Sequence, residues 1–138
     1  MRSSIVLVGH ASEMTRLAKF VEEFATTHDL AEAERARLLI VLEELLTNVA
    51  KYGYDADGAA GTVTVVLALE GDRLSIEFED DGKPFDPLAQ APPGLDQAVE
   101  ERSVGGLGLH IVRSLVEAAR YAREEGRNRL VLERRIGP

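Results

Sequence analysis

Apolar and polar positions change period several times along the 138-residue chain, and each change marks an element. Ile5 to Val8 is a short apolar run closed by Gly9, which predicts a first strand. Met1-Arg2-Ser3-Ser4 carries one basic residue and leads only into that short run. It therefore reads as the start of a strand and not as a secretory signal. From Ser12, a suitable N-cap, Met14, Leu17, Ala18, Val21, Phe24 and Ala25 recur at steps of three and four and predict a helix. Thr26-Thr27-His28-Asp29 interrupts that pattern. A longer helix is expected from about Ala31 to Lys51, with Leu38, Leu42, Leu45 and Val49 as its buried stripe, widened by Leu39 and Leu46. Gly53 stands where that helix should stop.

The middle of the chain alternates with period two. Val63, Val65, Leu67 and Leu69 form one face, then Leu74, Ile76 and Phe78 follow after the tight connection Glu70-Gly71-Asp72-Arg73. This predicts an antiparallel hairpin with one face buried beneath the helices. Residues 81–104 hold four of the five prolines and little periodicity, and irregular stretches of that length in a compact domain are usually functional. Helical spacing returns from Gly108 to Ala119, through Leu109, Val112, Leu115 and Val116. Tyr121–Glu124 and Arg129–Glu133 flank Glu125-Gly126-Arg127-Asn128 and predict a closing hairpin. Strand, helix, helix, hairpin, loop, helix, hairpin is the order of an α+β two-layer sandwich, not of a doubly wound βαβ series.

Composition narrows the function classes. Hydrophobic residues make up 45% of the chain, enough for a packed core, and residues 1–138 are expected to form one domain. The apolar runs are too short to span a bilayer, so no membrane role is expected. There are no cysteines, which excludes disulfides and thiolate metal sites and leaves the cytoplasm as the default setting. A net charge of −8 argues against a nucleic-acid partner held by its phosphate backbone. An acidic chain can still hold a nucleotide if magnesium and backbone amides neutralise the phosphates.

Three segments carry candidate chemistry. Glu44 and Asn48 lie four residues apart in the long helix and share a face, with Val41, beside the main apolar seam. Asn is unfavourable inside a helix. An Asn oxygen on Mg²⁺ with a Glu accepting a proton would account for the pair, although alone it is more often a solvated helix edge. Asp80-Asp81-Gly82 closes the strand that ends near Glu79. A carboxylate there can accept a hydrogen bond from an exocyclic amine, and Gly82 permits close backbone approach. Alone, Asp-Gly is also an ordinary turn. Gly105-Gly106-Leu107-Gly108 precedes a helix, where amides and the helix dipole can meet phosphate oxygens. It is neither a Walker loop nor a dinucleotide fingerprint. His110 has no second metal-spaced His or Cys and is left unassigned.

In this order and spacing the segments are far more specific than any one of them. The chain resembles the Bergerat-fold (GHKL) ATPases and, within them, the small bacterial anti-sigma-factor serine/threonine kinases. Glu43-Glu44-Leu45-Leu46-Thr47-Asn48 with Tyr52-Gly53-Tyr54 is similar to the family's N box. Asp80-Asp81-Gly82-Lys83-Pro84-Phe85-Asp86-Pro87 resembles its G1 box, and Gly105-Gly106-Leu107-Gly108-Leu109-His110-Ile111-Val112 its G2 box. The resemblance implies a mixed, largely antiparallel sheet covered on one face by about three helices. It implies ATP and Mg²⁺ as cofactors, Glu44 as general base, Asn48 as the metal ligand and Asp80 as the adenine-reading carboxylate. Gly82 would shape the adenine pocket. Gly105, Gly106, Leu107 and Gly108 would hold the phosphates, with residues 86–104 as a short lid. Pro84 replaces the second G1 glycine. Asn128 stands where a Ser or Thr often sits beside the adenine Asp, and is expected to contact the base.

What the resemblance implies for function is phosphorylation of a STAS-domain antagonist, sequestration of a sigma factor, and a homodimer. Two other readings stay open at this point: an ATP-binding module that holds a partner without efficient phosphotransfer, and a GHKL-type ATPase that hydrolyses ATP with water.

Overall fold

The computed structural model describes residues 2–55, 58–89 and 112–136. Strand β1 (Arg2–Val8) leads through a 3-10 turn (Ala11–Glu13) into α1 (Met14–Thr27) and α2 (Glu32–Tyr52). β2 (Thr62–Glu70) and β3 (Arg73–Asp80) form the central hairpin, and β4 (Ala118–Glu124) and β5 (Arg127–Arg135) the closing one. The strands make one five-stranded sheet in the order β1-β2-β3-β5-β4, and all four pairings are antiparallel. The expected α+β sandwich is therefore present, with no parallel strand pair among the described residues.

Period two and period 3.6 meet in one apolar layer. Register sets Ile5, Val65, Phe78, Leu130 and Tyr121 in one row across the sheet, and Leu67, Ile76 and Leu132 in the next. These rows face Leu17, Val21 and Phe24 of α1 and Leu38, Val41, Leu42, Leu45 and Leu46 of α2, all within one buried cluster. Val41 is fully part of this core, whereas Leu39 and Val49 are only half-buried, so the buried stripe of α2 is rotated slightly from the expected one. The opposite sheet face is solvated and laced with cross-strand ion pairs such as Arg129–Glu77 and Arg127–Glu79.

Several boundaries move for identifiable reasons. Ser12 is not the N-cap of α1. It lies in the 3-10 turn, whose cap is His10, with Nδ1 accepting from Ser12 N–H at 3.0 Å. α1 ends in a Schellman motif: Leu30 N–H donates to the Ala25 carbonyl and Asp29 takes the left-handed φ of 53°. The expected helix to Ala119 stops sooner. Residues 112–115 are helical, but Ala118 and Ala119 already pair with Glu133 and Leu132. The closing turn is shorter than expected, just Glu125-Gly126, both at positive φ, as a two-residue type I′ hairpin requires. Arg127 and Asn128 consequently belong to β5.

Leu42 is 0% exposed at the centre of the α2–sheet contact. Leu42→Ala should lower unfolding free energy by about 2–5 kcal/mol, read from urea midpoints at unchanged m-value.

Candidate functional site

Three polar side chains occupy slots that the apolar periodicities would otherwise fill. Asp80 continues the series Leu74, Ile76, Phe78, and Asn128 begins the series Leu130, Leu132. Strand register sets these two residues directly opposite each other on the helix side of the sheet. On α2, Asn48 continues Val41 and Leu45 at helical spacing. All three are buried, at 5–6% exposure. They line one cleft, with Leu45 and Val49 of α2 on one side, Phe78, Tyr121 and Leu130 of the sheet on the other, and Phe85 and Pro87 across the mouth. The cleft is narrow: about 330 Å³ of empty space counting its open mouth, and only about 30 Å³ where a water molecule's centre fits.

Burial pushes the Asp80 carboxyl above its ordinary range, and the neighbouring Asp81 adds to the push. The hydrogen bonds from Asn128 and Gly82, and the charge of Arg123, pull the other way. Asp80 Oδ1 accepts from Asn128 Nδ2 at 2.9 Å and from Gly82 N–H at 2.9 Å. Gly82 is required by space, not by φ. A Cβ there would lie 2.9 Å from the Gly53 carbonyl oxygen and 3.0 Å from both Gly53 Cα and Asp80 Oδ1. Lys83 N–H donates to that same Gly53 carbonyl at 2.8 Å, which hooks the Asp-Gly turn to the end of α2. Gly53 does end α2, as expected, but at φ −75°. Its own Cβ would stand 2.7 Å from the Val49 carbonyl oxygen.

Asp81, by contrast, is turned away from the cleft and works as a brace. Its Oδ1 accepts from the Tyr54 hydroxyl at 2.6 Å and from Thr62 N–H at 3.0 Å. The Tyr54 hydrogen bond holds the Asp81 carboxyl below its ordinary range, while burial and Asp81 push the Tyr54 phenol far up. Gly61 and Gly9 leave room for this pair: a Cβ on Gly61 would overlap the Asp81 carboxylate, and one on Gly9 would meet the Tyr54 ring at 2.6 Å.

The Glu44–Asn48 pair has a defined geometry. Asn48 Nδ2 donates to the Glu44 carbonyl at 2.8 Å and to Glu44 Oε1 at 2.7 Å. That leaves Asn48 Oδ1 buried and without a hydrogen-bond partner among the described residues. A buried amide oxygen left bare costs stability, and a hard cation is what such an oxygen suits. No group of three His, Cys, Asp or Glu side chains suited to a metal occurs among the described residues. A Mg²⁺ ion would be suited to that single protein oxygen.

Asn48, Asp80 and Asn128 therefore line one cleft, with Glu44 bonded to Asn48 and Gly82 to Asp80. Gly105, Gly106, Leu107, Gly108 and His110 lie outside the described residues, as does the expected lid beyond Ala89. Up to that point Pro84 leads into a 3-10 turn, Pro87–Ala89, in which Pro87 is buried and Asp86 Oδ1 accepts from Leu88 N–H. Sequence reasoning missed Tyr121, whose hydroxyl donates to Asn128 Oδ1, and Arg123, which donates to the Gly82 carbonyl at 2.8 Å. It also missed the Tyr54–Asp81 brace. Tyr121 sits at period two with Ala119, which could have placed it on the core face.

Residues 9–134 match the model of the histidine kinase-like ATPase domain family. The chain belongs to that family. It is 24% identical over 128 residues to the serine/threonine-protein kinase BtrW of Bordetella bronchiseptica, covering 93% of this chain and 89% of the relative. It is 31% identical over 91 residues to the serine-protein kinase RsbW of Bacillus cereus. That match takes in 63% of this chain and 56% of the relative, so it spans little more than half of that kinase. Among solved structures, the RsbU and RsbW domains of Rv1364c from Mycobacterium tuberculosis superpose with a TM-score of 0.69 at 19% identity, over 98% of this chain and 32% of that one. This last likeness concerns the fold alone.

Asp80→Asn tests the electrostatics of the cleft. A carboxyl raised by burial favours folding below the ordinary carboxylate pKa, and that contribution is lost as pH rises through the raised value. The amide keeps Oδ1 for Gly82 and Asn128 and removes the charge. Urea unfolding without ligand should find the variant at least as stable as wild type at pH 7, with the difference shrinking toward pH 4. A variant clearly weaker at pH 7 would mean that charge-assisted hydrogen bonds outweigh desolvation.

Proposed function

We propose that this chain is an ATP-dependent serine/threonine protein kinase of the anti-sigma-factor type. Its substrate is a Ser or Thr on a STAS-domain antagonist, and it holds a sigma factor that the unphosphorylated antagonist frees. The observation that carries the reading is the bare, buried Oδ1 of Asn48, whose Nδ2 is held by Glu44, in the same cleft as the buried Asp80 carboxylate. One end of the cleft offers an acceptor for the exocyclic amine of adenine. The other offers a metal ligand beside a proton acceptor. The names of BtrW and RsbW support kinase activity, and the family supports ATP.

The residues divide the work. Asp80 Oδ1 is spent on Gly82 and Asn128, and the carboxylate they orient presents its remaining capacity to the base. Asn48 Nδ2 fixes the Glu44 carboxylate, so that Glu44 can orient the acceptor hydroxyl and take its proton. Asn48 Oδ1 would hold Mg²⁺, which when bound supplies charge neutralisation at the triphosphate. Gly105, Gly106, Leu107 and Gly108 complete the phosphate contacts by resemblance. Residues 1–138 act in this reading as one ATP-binding domain in the cytoplasm, working as a homodimer. Among the described residues no helix is long and apolar enough to cross a membrane.

Incubation with γ-labelled ATP and the STAS-domain protein of the same organism tests the reading. Label on a Ser or Thr of that partner is the expected result. Release of free phosphate without protein label would move the chain to the ATPases, and no nucleotide binding at all would sink both. Glu44→Gln keeps an acceptor for Asn48 Nδ2 but loses the base. It should bind Mg·ATP nearly as wild type does, by thermal shift, and transfer phosphate about 10²–10⁴-fold more slowly.

A further inference from the structure

Asn128 is fully occupied within the protein. A carboxamide has two acceptor sites on oxygen and two donor hydrogens. Oδ1 accepts from Phe85 N–H at 3.1 Å and from the Tyr121 hydroxyl at 2.5 Å. Nδ2 donates to Asp80 Oδ1 at 2.9 Å and to the Lys83 carbonyl at 2.8 Å. The orientation of this amide follows from its partners. A backbone N–H can only donate, and a carbonyl and a carboxylate can only accept, so a flipped amide would lose three of these bonds. No capacity is left for a ligand. A Ser or Thr at this position, the residue the resemblance leads one to expect, has one donor hydrogen and could not serve both Asp80 and Lys83.

We propose that Asn128 is a positioning residue and not a ligand of the base. Locked by the Tyr121 hydroxyl, it holds the Asp80 carboxylate in one orientation, ties it to the Lys83–Phe85 turn at the cleft mouth, and thereby sets the preference for adenine. Tyr121 acts one bond further out. This deepens the ATP reading above and rests on it. The chain of contacts runs Tyr121, Asn128, Asp80, with a branch from Asn128 to the strap that bears Phe85 and Pro87. A loosened Asn128 therefore disturbs both the acceptor for the base and the wall that closes over it. The burial of Asn128, at 5% exposure, keeps water from substituting for either partner.

The test compares binding of ATP and of purine riboside triphosphate, which lacks only the exocyclic amine, by wild type, Tyr121→Phe and Asn128→Ala. A purely structural loss weakens both nucleotides alike, whereas a positioning role changes their ratio. Wild type should prefer ATP by about tenfold or more, the worth of one hydrogen bond to a charged acceptor. Tyr121→Phe, which removes one hydroxyl and keeps the ring, should reduce that ratio by about threefold or more at little change in melting temperature. Asn128→Ala should abolish the preference. If Asn128→Ala fails to fold, Tyr121→Phe still decides. Wild type preferring ATP, with an undiminished ratio in folded Tyr121→Phe, overturns the inference and leaves the ATP reading intact. Wild type binding neither nucleotide overturns both. Equal binding of the two by wild type removes Asp80 from the amine and the inference with it.

Discussion

A carboxylate taken out of water must find hydrogen bonds or give up its charge, and the arrangement around Asp80 is organised by that constraint. The residue sits where a fourth apolar side chain of β3 would sit, with Val63 beside it on β2 and Asn128 beside it on β5. Its partners recruit partners of their own. Gly82 N–H reaches Oδ1 only because the turn lies against Gly53 without side chains between them. Lys83 N–H then fastens that turn to the carbonyl of Gly53, the C-cap of α2, and Arg123 fastens it to β4. Sheet, helix end and cleft mouth are thus joined at one buried charge.

Asn48 carries a smaller version of the same constraint. A helix-interior Asn normally spends its amide on a preceding carbonyl, and here Nδ2 does so at Glu44. The second bond, to the Glu44 carboxylate, couples the acid to the amide through a single i, i+4 step. The oxygen is left over. Buried and bare, it is a cost to the ligand-free fold that coordination would remove. The Asn48 end of the cleft therefore holds an oxygen that coordination would satisfy better than the protein alone does.

Much of this was legible in the sequence, and the rest was not, for definable reasons. The central hairpin and the two long helices follow from periods of two and 3.6, β1 from the apolar run Ile5 to Val8, and the closing hairpin from its turn residues. Glu44, Asn48, Asp80 and Gly82 stood out because each breaks a local rule, a polar residue or a glycine within an otherwise regular element. Period counting misjudged the ends of elements. Ala118 and Ala119 fit a helix as readily as a strand, and their pairing with β5 decides the matter. Asn128 was placed in a turn because Glu-Gly-Arg-Asn is turn-like composition, whereas positive φ at Glu125 and Gly126 ends the turn two residues earlier. The Tyr54–Asp81 bond spans 27 residues and the Asn128–Asp80 bond 48, separations at which a single sequence carries no pairing signal.

The proposed reading of adenine by Asp80 and the stability of the ligand-free fold pull against each other. An amide or an apolar residue there would relieve the desolvation that raises its carboxyl, so stability alone would favour replacing it. In the proposed reading a replacement would lose a charged acceptor, whose hydrogen bonds strengthen where water is excluded. Asp81, one residue on, shows the opposite solution: exposed, braced by Tyr54 and Thr62, and held below the ordinary carboxylate range. Two adjacent aspartates thus divide two tasks, one anchoring the β2 entry to the Asp-Gly turn and one kept costly and available. The difference lies in the alternation along β3: Asp80 ends the strand on the face beneath α2, and Asp81 follows it exposed. A one-residue slip in the register of β3 would exchange them, and the cores of Leu74, Ile76 and Phe78 make that slip prohibitive.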